Sequence, residues 1–154
     1  MLLTGEQLVA ALGKPFDDPA VQVIAEQLGL RAPRVSDGGS EDALEAKPRG
    51  MQLGFSVIGG DPTVPMLLTA ITCYVPGGEP GYGLYTGGLP GDASLGDTPE
   101  HLVEKLGSPE SVDEDDGVVW SRGWKRDGYY MTFSYGAEGE IRYVQLIWAE
   151  YIDS

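Results

Sequence analysis

A short sequence motif occurs twice in this chain, and it constrains the fold more than any other feature. Residues 98–109 read TPEHLVEKLGSP, and residues 4–15 read TGEQLVAALGKP. The two copies align without a gap and share Thr, Glu, Leu, Val, Leu, Gly and Pro at equivalent places. Internal similarity of this kind indicates a structural unit that is used more than once. We therefore expect one short helix in each half of the chain, each beginning a small α+β unit.

Both copies carry the start and stop signals of a helix. Thr4 and Thr98 are suited to the N-cap, because their hydroxyls can accept a hydrogen bond from the first helical turn. Gly13 and Gly107 can take the left-handed conformation that ends a helix, and a proline two residues later prevents continuation. A further helix is expected at 19–28, where Val, Ile and Leu form an apolar stripe.

The remaining patterned segments predict an antiparallel sheet. Alternating or continuous apolar residues are typical of half-buried and buried strands, respectively. By these patterns, strands are expected at 51–57, 66–75, 118–125, 129–135 and 141–150. The polar segments 30–50 and 113–116 are predicted to be surface loops, the first with a turn of helix at 41–46. The sequence GGDP at 59–62 is predicted to be a turn.

These elements predict an α+β fold in which two pseudo-repeated units, each a helix with an antiparallel sheet, pack into one domain. The first unit spans residues 1–76 and the second spans residues 97–154. Residues 77–96 are rich in Gly and Pro, so they are expected to connect the units without forming a long element.

The charge balance limits the classes of partner. The chain has 24 acidic and 10 basic residues, for a formal net charge of −14. Phosphate binding needs a basic surface, so no nucleic-acid partner is expected. An acidic surface favours a basic partner and accelerates encounter with it, although general solubility would explain the same charge. We also expect a cytoplasmic protein without a membrane partner, since the sequence has no long apolar run and no basic secretory leader.

No motif predicts catalysis. His101 and Cys73 are the only residues of their types, so a zinc site is not expected. The acidic run 113–116 lacks the correctly placed Gly and the later Glu of an EF-hand calcium loop. The sequence contains neither a G-x-S-x-G elbow nor a phosphate-binding glycine loop. We therefore predict no enzymatic activity, no metal and no cofactor.

The candidate functional residues are aromatic and acidic side chains that could bind a protein partner. Tyr and Trp are frequent anchors of protein interfaces. By strand parity, Tyr130 and Trp148 are expected on the outer face of the sheet, although core packing between the halves would explain them equally. Aromatic residues on the Gly-rich connector could pack on the core or face a partner. The predicted partner-binding residues are Tyr82, Tyr85, Asp113, Glu114, Asp115, Asp116, Trp120, Trp124, Tyr130 and Trp148.

The second half resembles a known unit. A short helix ending in LGxP, a Trp-rich strand and two further strands joined by a G-x-I turn resemble the SmpA/OmlA (BamE-like) unit. Here these segments read TPEHLVEKLGSP, VVWSRGW and YYMTFSYGAEGEIRYVQLIW. Two such units in tandem resemble the architecture of β-lactamase inhibitory protein. The resemblance covers about 97–150 well and the first half chiefly in its helix, and it implies a framework without chemistry.

Two-unit proteins of this kind are also similar to immunity proteins encoded beside bacterial polymorphic or type VI secreted toxins. This resemblance implies a non-catalytic protein that neutralises a cognate toxin by direct binding. A nuclease toxin would offer a basic active-site surface to the acidic residues. Two alternatives stay open: a scaffold or assembly module of the outer-membrane lipoprotein type, and a small-molecule-binding protein or enzyme that uses carboxylates in a groove between the halves. The lack of a lipobox cysteine near the N-terminus departs from the lipoprotein family.

Overall fold

The computed structural model describes residues 2–34, 40–59 and 63–153, which form an antiparallel sheet with three of the four described helices packed on one face. The helices are α1 (Gly5–Ala11), α2 (Pro19–Leu28), α3 (Pro99–Leu106) and α4 (Ala149–Asp153). The strands are β1 (Glu41–Ala46), β2 (Met51–Ser56), β3 (Leu67–Tyr74), β4 (Ser111–Asp115), β5 (Val118–Arg126), β6 (Tyr129–Tyr135) and β7 (Ile141–Trp148).

The order of the strands shows how the two halves of the chain are joined. Neighbouring strands follow the order β1-β2-β3-β7-β6-β5-β4, and every pair is antiparallel. At the centre, β3 pairs with β7 in the register that places Ala70 opposite Ile147 and Tyr74 opposite Tyr143. The last strand of each half therefore hydrogen-bonds to the last strand of the other.

The predicted fold class, two packed helix-plus-sheet units, is wrong. The β3–β7 pairing makes one continuous seven-stranded sheet out of the described strands of both halves. A strand at the edge of a small sheet carries unpaired N–H and C=O groups, and pairing two such edges satisfies them. The boundaries predicted for the units, at 1–76, 77–96 and 97–154, stay a prediction.

Both copies of the repeated motif nevertheless form a capped helix. The hydroxyl of Thr4 accepts a hydrogen bond from the Gln7 N–H at 3.1 Å, and the Thr98 hydroxyl accepts one from the His101 N–H at 3.2 Å. Only α1 has the reciprocal bond, in which the Thr4 N–H donates to Gln7 Oε1 at 2.9 Å. The predicted helix at 19–28 is confirmed by α2, which ends at Gly29 in the left-handed conformation.

The turn of helix predicted at 41–46 is wrong, because these residues form the edge strand β1. Leu44 and Ala46 are buried, and they lie opposite Leu53 and Met51 of β2. Glu and Ala favour helix, but this preference is small for each residue. Burial of the apolar side chains on one face of the strand outweighs it. The sheet thus gains an edge strand that the sequence pattern did not indicate.

The predicted acidic loop at 113–116 is also wrong. Residues Ser111–Asp115 form β4, the other edge of the sheet, and pair with β5. Asp116 and Gly117 then make a tight turn, with φ angles of 53° and 77°. An Asp-Gly pair with positive φ at both positions is the two-residue turn that matches the twist of a hairpin.

The other predicted strands are confirmed by β2, β3, β5, β6 and β7, although the segment 141–150 leaves the sheet after Trp148 and begins α4. The connector 77–96 contains one short 3-10 turn, Pro90–Asp92, among the residues described. Residues 60–62 of the predicted turn at 59–62 lie outside the described residues.

Candidate partner-binding surface

The strand register divides the side chains of the sheet between two faces. On the helix face, under α1, α2 and α3, one buried row crosses six strands: Leu44, Leu53, Ile71, Leu146, Met131 and Trp124. On the opposite side, which we call the open face, the neighbouring row is polar or small: Glu45, Gln52, Thr72, Gln145, Thr132, Gly123 and Ser111. The helix face forms the core, and the row on the open face is half-buried or buried at its centre and exposed at its two ends, Glu45 and Ser111.

Three tyrosines form a cluster at one end of the open face. The rings of Tyr74 and Tyr82 are 4.1 Å apart between centroids, and those of Tyr74 and Tyr143 are 5.7 Å apart. The Tyr74 hydroxyl donates to Gln52 Oε1 at 3.1 Å. Burial, and secondarily the charge of Glu45, raises the pKa of Tyr82 to about 12. The cluster was not predicted, because Tyr82 reaches it from the connector and only the fold brings it there.

The two connector tyrosines predicted to bind a partner are both buried. Tyr82 is 8% exposed and packs on the open face, whereas Tyr85 is 6% exposed and belongs to the core. The Tyr85 hydroxyl donates to the Gly88 carbonyl at 2.8 Å. Their side chains offer little accessible area to a partner, and packing on the protein itself is the alternative that the structure favours.

Trp124 and Trp148 lie on the helix face and not on the outer face. Trp124 is 1% exposed, and its indole N–H donates to the Gly107 carbonyl at 3.0 Å. Trp148 packs against the core, and its ring approaches Gly13 so closely that a Cβ there would lie 2.6 Å from it. The parity argument for Trp148 was wrong because it compared two strands without knowing their register. In the structure Tyr130 pairs with Ile147, so Trp148 faces the opposite side.

The remaining candidates are at the surface, close to β4. All five residues of β4 are exposed, and Asp116 follows them in the turn. Trp120 is 38% exposed and has no partner in the β4–β5 register, which passes from Asp113–Ser121 to Glu114–Val119. It is the extra residue of a bulge, and because Val119 packs on the core, Trp120 points towards the open face. Tyr130 is half-buried on the same face.

The two edges of the sheet differ in how their acidic side chains are paired. On β1, Asp42 accepts from the Arg34 N–H at 2.7 Å and lies 3.7 Å from the Arg31 guanidinium. Glu41 accepts from the Tyr151 hydroxyl at 3.2 Å, and Glu45 lies 3.5 Å from Lys47 Nζ. On β4 and its turn, no carboxylate of residues 113–116 has a hydrogen bond or ion pair with any described residue.

The described residues offer no arrangement for metal chemistry. Within ranges 2–34, 40–59 and 63–153, no three His, Cys, Asp or Glu side chains are placed to hold a metal ion. Cys73 is fully buried in β3, and burial raises the pKa of its thiol. In the same ranges, no helix has the length and apolar character needed to span a membrane.

No protein-family model and no curated protein matches this chain. Among solved structures, it is similar to a cysteine-rich secretory protein from Staphylococcus aureus subsp. aureus Mu50, with a TM-score of 0.52 and 11% sequence identity. That match covers 93% of this chain and 46% of the staphylococcal chain, so this protein spans less than half the length of that one.

A second similar structure is the DUF4309 family protein YjgB from Bacillus subtilis subsp. subtilis str. 168. The TM-score is 0.46 and the identity is 19%, with coverage of 82% of this chain and 76% of the other. At these identities the likeness to the staphylococcal protein concerns the fold alone. Neither protein is described as an SmpA/OmlA unit or a β-lactamase inhibitory protein, so that resemblance stays a prediction.

Proposed function

We propose that this protein is a non-catalytic, cytoplasmic binding protein that neutralises a cognate bacterial toxin by contact with a basic surface of that toxin. The contact involves the acidic strand β4 and the adjoining part of the open face. One observation carries the proposal: residues 113–116 supply four adjacent carboxylates that no described side chain compensates.

The charge of this edge favours a basic partner for an electrostatic reason. Like charges on adjacent residues repel, and in the free protein only water and salt screen them. A partner that brings Lys or Arg side chains to residues 113–116 removes that repulsion and gains charge-assisted hydrogen bonds. The same field accelerates association, since complementary potentials raise the on-rate by orders of magnitude at low salt.

Trp120 provides the apolar part of such an interface. It is a large exposed aromatic beside the acidic edge, and Trp side chains dominate the binding energy of many interfaces. A basic rim around an aromatic pocket on the toxin would fit this combination. A nuclease active site has the required positive charge because it binds phosphates.

The first experiment identifies the partner and measures the binary complex. The full chain is used to capture proteins from the source cells, and the captured protein is identified, purified and titrated at several salt concentrations. We expect the affinity to fall steeply as salt rises, and the toxin's activity to be lost in the complex. A captured protein with an acidic contact surface, or with an affinity independent of salt, would contradict the proposal.

Variants then locate the contact. Asp113→Asn, Glu114→Gln, Asp115→Asn and Asp116→Asn are combined, and the control combines the same change of charge at exposed residues elsewhere: Glu6→Gln, Glu26→Gln, Glu104→Gln and Glu150→Gln. We expect the first set to weaken binding by about 100-fold or more and the control by less than about tenfold. Equal losses in both sets would mean that net charge, and not the β4 edge, attracts the partner.

Trp120→Ala tests the aromatic anchor separately. Truncation of an anchor residue costs about 2 kcal/mol or more of binding free energy, which is roughly 30-fold in affinity. Val112→Ala is the matched control, because Val112 is also exposed but lies on the helix side of β4, opposite Arg122. If Trp120→Ala binds the partner with unchanged affinity, Trp120 is not part of the interface.

A further inference from the structure

A small cavity lies on the helix side of the sheet, between α3 and the turn that joins β4 to β5. Its volume is about 240 Å³. Arg122 and Tyr135 line it together with Pro99, the first residue of α3, and the turn residues Gly117 and Gly139. The cavity adjoins the proposed partner surface only at the turn that carries Asp116 and Gly117, and neither argument depends on the other.

Arg122 is held at this cavity without a carboxylate partner. The register places it on the helix face, opposite Val112 and Phe133, and its guanidinium carbon lies 5.1 Å from the centroid of the Tyr135 ring. Among the described residues it forms no ion pair. By contrast, Arg126 on the same strand lies 3.6 Å from Glu110.

Tyr135 has a hydroxyl group that the fold leaves unsatisfied. The residue is 2% exposed, and its hydroxyl is the one buried side-chain polar atom among the described residues that has no hydrogen-bond partner. Buried polar groups in folded proteins are nearly always hydrogen-bonded, and an exception calls for an explanation such as a bound water, ion or other group. Here the guanidinium of Arg122, which has no ion pair among the described residues, lies over the ring that carries this hydroxyl.

The geometry points to a binding site for the carboxylate group of a small organic monoanion. The planar guanidinium of Arg122 donates two parallel hydrogen bonds to a carboxylate. The Tyr135 hydroxyl donates a third bond, and the N-terminal end of α3 adds positive potential. The ligand would thus satisfy both groups that the protein leaves without partners.

The surroundings select for a single negative charge. Asp116 and Glu138 are exposed on the turns that border the cavity, and solvent screens them more than it screens the half-buried Arg122. One carboxylate therefore gains more from Arg122 than it loses to these acids. A dianion such as hydrogen phosphate is attracted and repelled twice as strongly, but the cost of removing an ion from water rises with the square of its charge, so it should bind more weakly than acetate.

The test is a titration of the full chain with acetate at constant ionic strength, monitored by the amide NMR signals of Gly117 and Gly139. We expect saturable shifts with a Kd in the millimolar range, and weaker shifts with phosphate. Arg122→Gln should weaken acetate binding about tenfold or more. Lys125→Gln, a change on the same strand but the open face, should leave it unaltered.

Tyr135→Phe distinguishes a ligand site from a structural role. It removes only the unsatisfied hydroxyl, so the ligand-free variant should be at least as stable as the parent. Acetate should then raise its Tm less than it raises the parent's Tm. The proposal is overturned if acetate causes no saturable shift, if Arg122→Gln binds acetate as the parent does, or if Tyr135→Phe loses stability while its affinity for acetate is unchanged.

Discussion

At the scale of single residues, Gly13, which follows the end of α1, is restricted both by its backbone conformation and by a close neighbour. Its φ angle is +80°, and the ring of Trp148 from the last strand lies directly against it. Gly29 ends α2 with a φ of +67°, but apart from its chain neighbours no atom of the described residues lies within 4 Å of where its Cβ would be. The two glycines therefore separate the cost of a left-handed conformation from the cost of a steric clash.

We expect Gly13→Ala to destabilise the protein by about 2–4 kcal/mol, because strain at positive φ adds to the overlap with Trp148. Gly29→Ala should cost about 1 kcal/mol, from the backbone conformation alone. Urea unfolding of both variants measures the difference. If the two variants lose the same free energy of unfolding, the Trp148 ring moves aside without any loss of stability.

Tyr82 makes stability depend on alkaline pH. An unfolded tyrosine has a pKa of about 10, and burial raises the pKa of Tyr82 in the folded protein to about 12. Its contribution to stability is complete below about pH 10. Between about pH 10 and 12 the unfolded state loses a proton that the folded state keeps, so stability falls as pH rises.

Tyr82→Phe should remove the part of this dependence that Tyr82 contributes, while Tyr74, Tyr85 and Tyr129, whose pKa values burial also raises, keep theirs. At pH 8 the variant and the parent should have similar free energies of unfolding. At pH 11 the variant should be the more stable by up to about 1 kcal/mol, allowing for solvent screening of the hydroxyl. Urea titrations at both pH values give the comparison, and parallel losses in the two proteins would contradict it.

At the scale of elements, the two copies of the repeated motif form helices with different caps. α1 begins with a reciprocal pair of bonds between Thr4 and Gln7, whereas α3 has only the bond accepted by Thr98. The difference comes from one position, since His101 stands in α3 where Gln7 stands in α1. Its side chain gives no return bond to the Thr98 N–H.

We predict that Thr4→Ala and Thr98→Ala each reduce the free energy of unfolding by about 1 kcal/mol, the usual loss of an N-cap. Gln7→Ala should cost a few tenths of a kcal/mol, because it removes one bond of the capping box. His101→Ala should change stability by less than that. Thermal or urea unfolding of the four variants tests the ranking, which a larger effect of His101→Ala would reverse.

At the scale of the whole molecule, the continuous sheet couples the two halves. The buried row through Leu53, Ile71 and Leu146 passes from the first half to the second across the β3–β7 pair. Each half thus completes the core of the other, and the strands of the two halves belong to one sheet. Small proteins with one shared core usually unfold in a single transition.

We therefore expect Ile71→Ala to lower the stability of both halves together by about 3 kcal/mol, the cost of a cavity in a packed core. Ile71 is fully buried in the first half, whereas all three tryptophans lie in the second. Urea unfolding followed by tryptophan fluorescence and by circular dichroism should shift to the same lower midpoint. An unshifted fluorescence transition would mean that the halves unfold independently.

The sequence by itself determined the features that depend on neighbours along the chain. Helix caps at Thr4 and Thr98 need only groups three residues away, and the buried strand β3 is evident from its continuous apolar residues. These predictions succeeded because the hydrogen bonds or the hydrophobic pattern that define them are contained within the segment.

Only the tertiary structure decided the pairing of strands, and with it the surface of the protein. The β3–β7 contact, the strand character of Glu41–Ala46 and Ser111–Asp115, and the inward direction of Trp148 all depend on which backbone edges meet and in what register. A shift of one residue in register reverses the face of every side chain in a strand. That information lies in contacts between distant segments, which no local pattern contains.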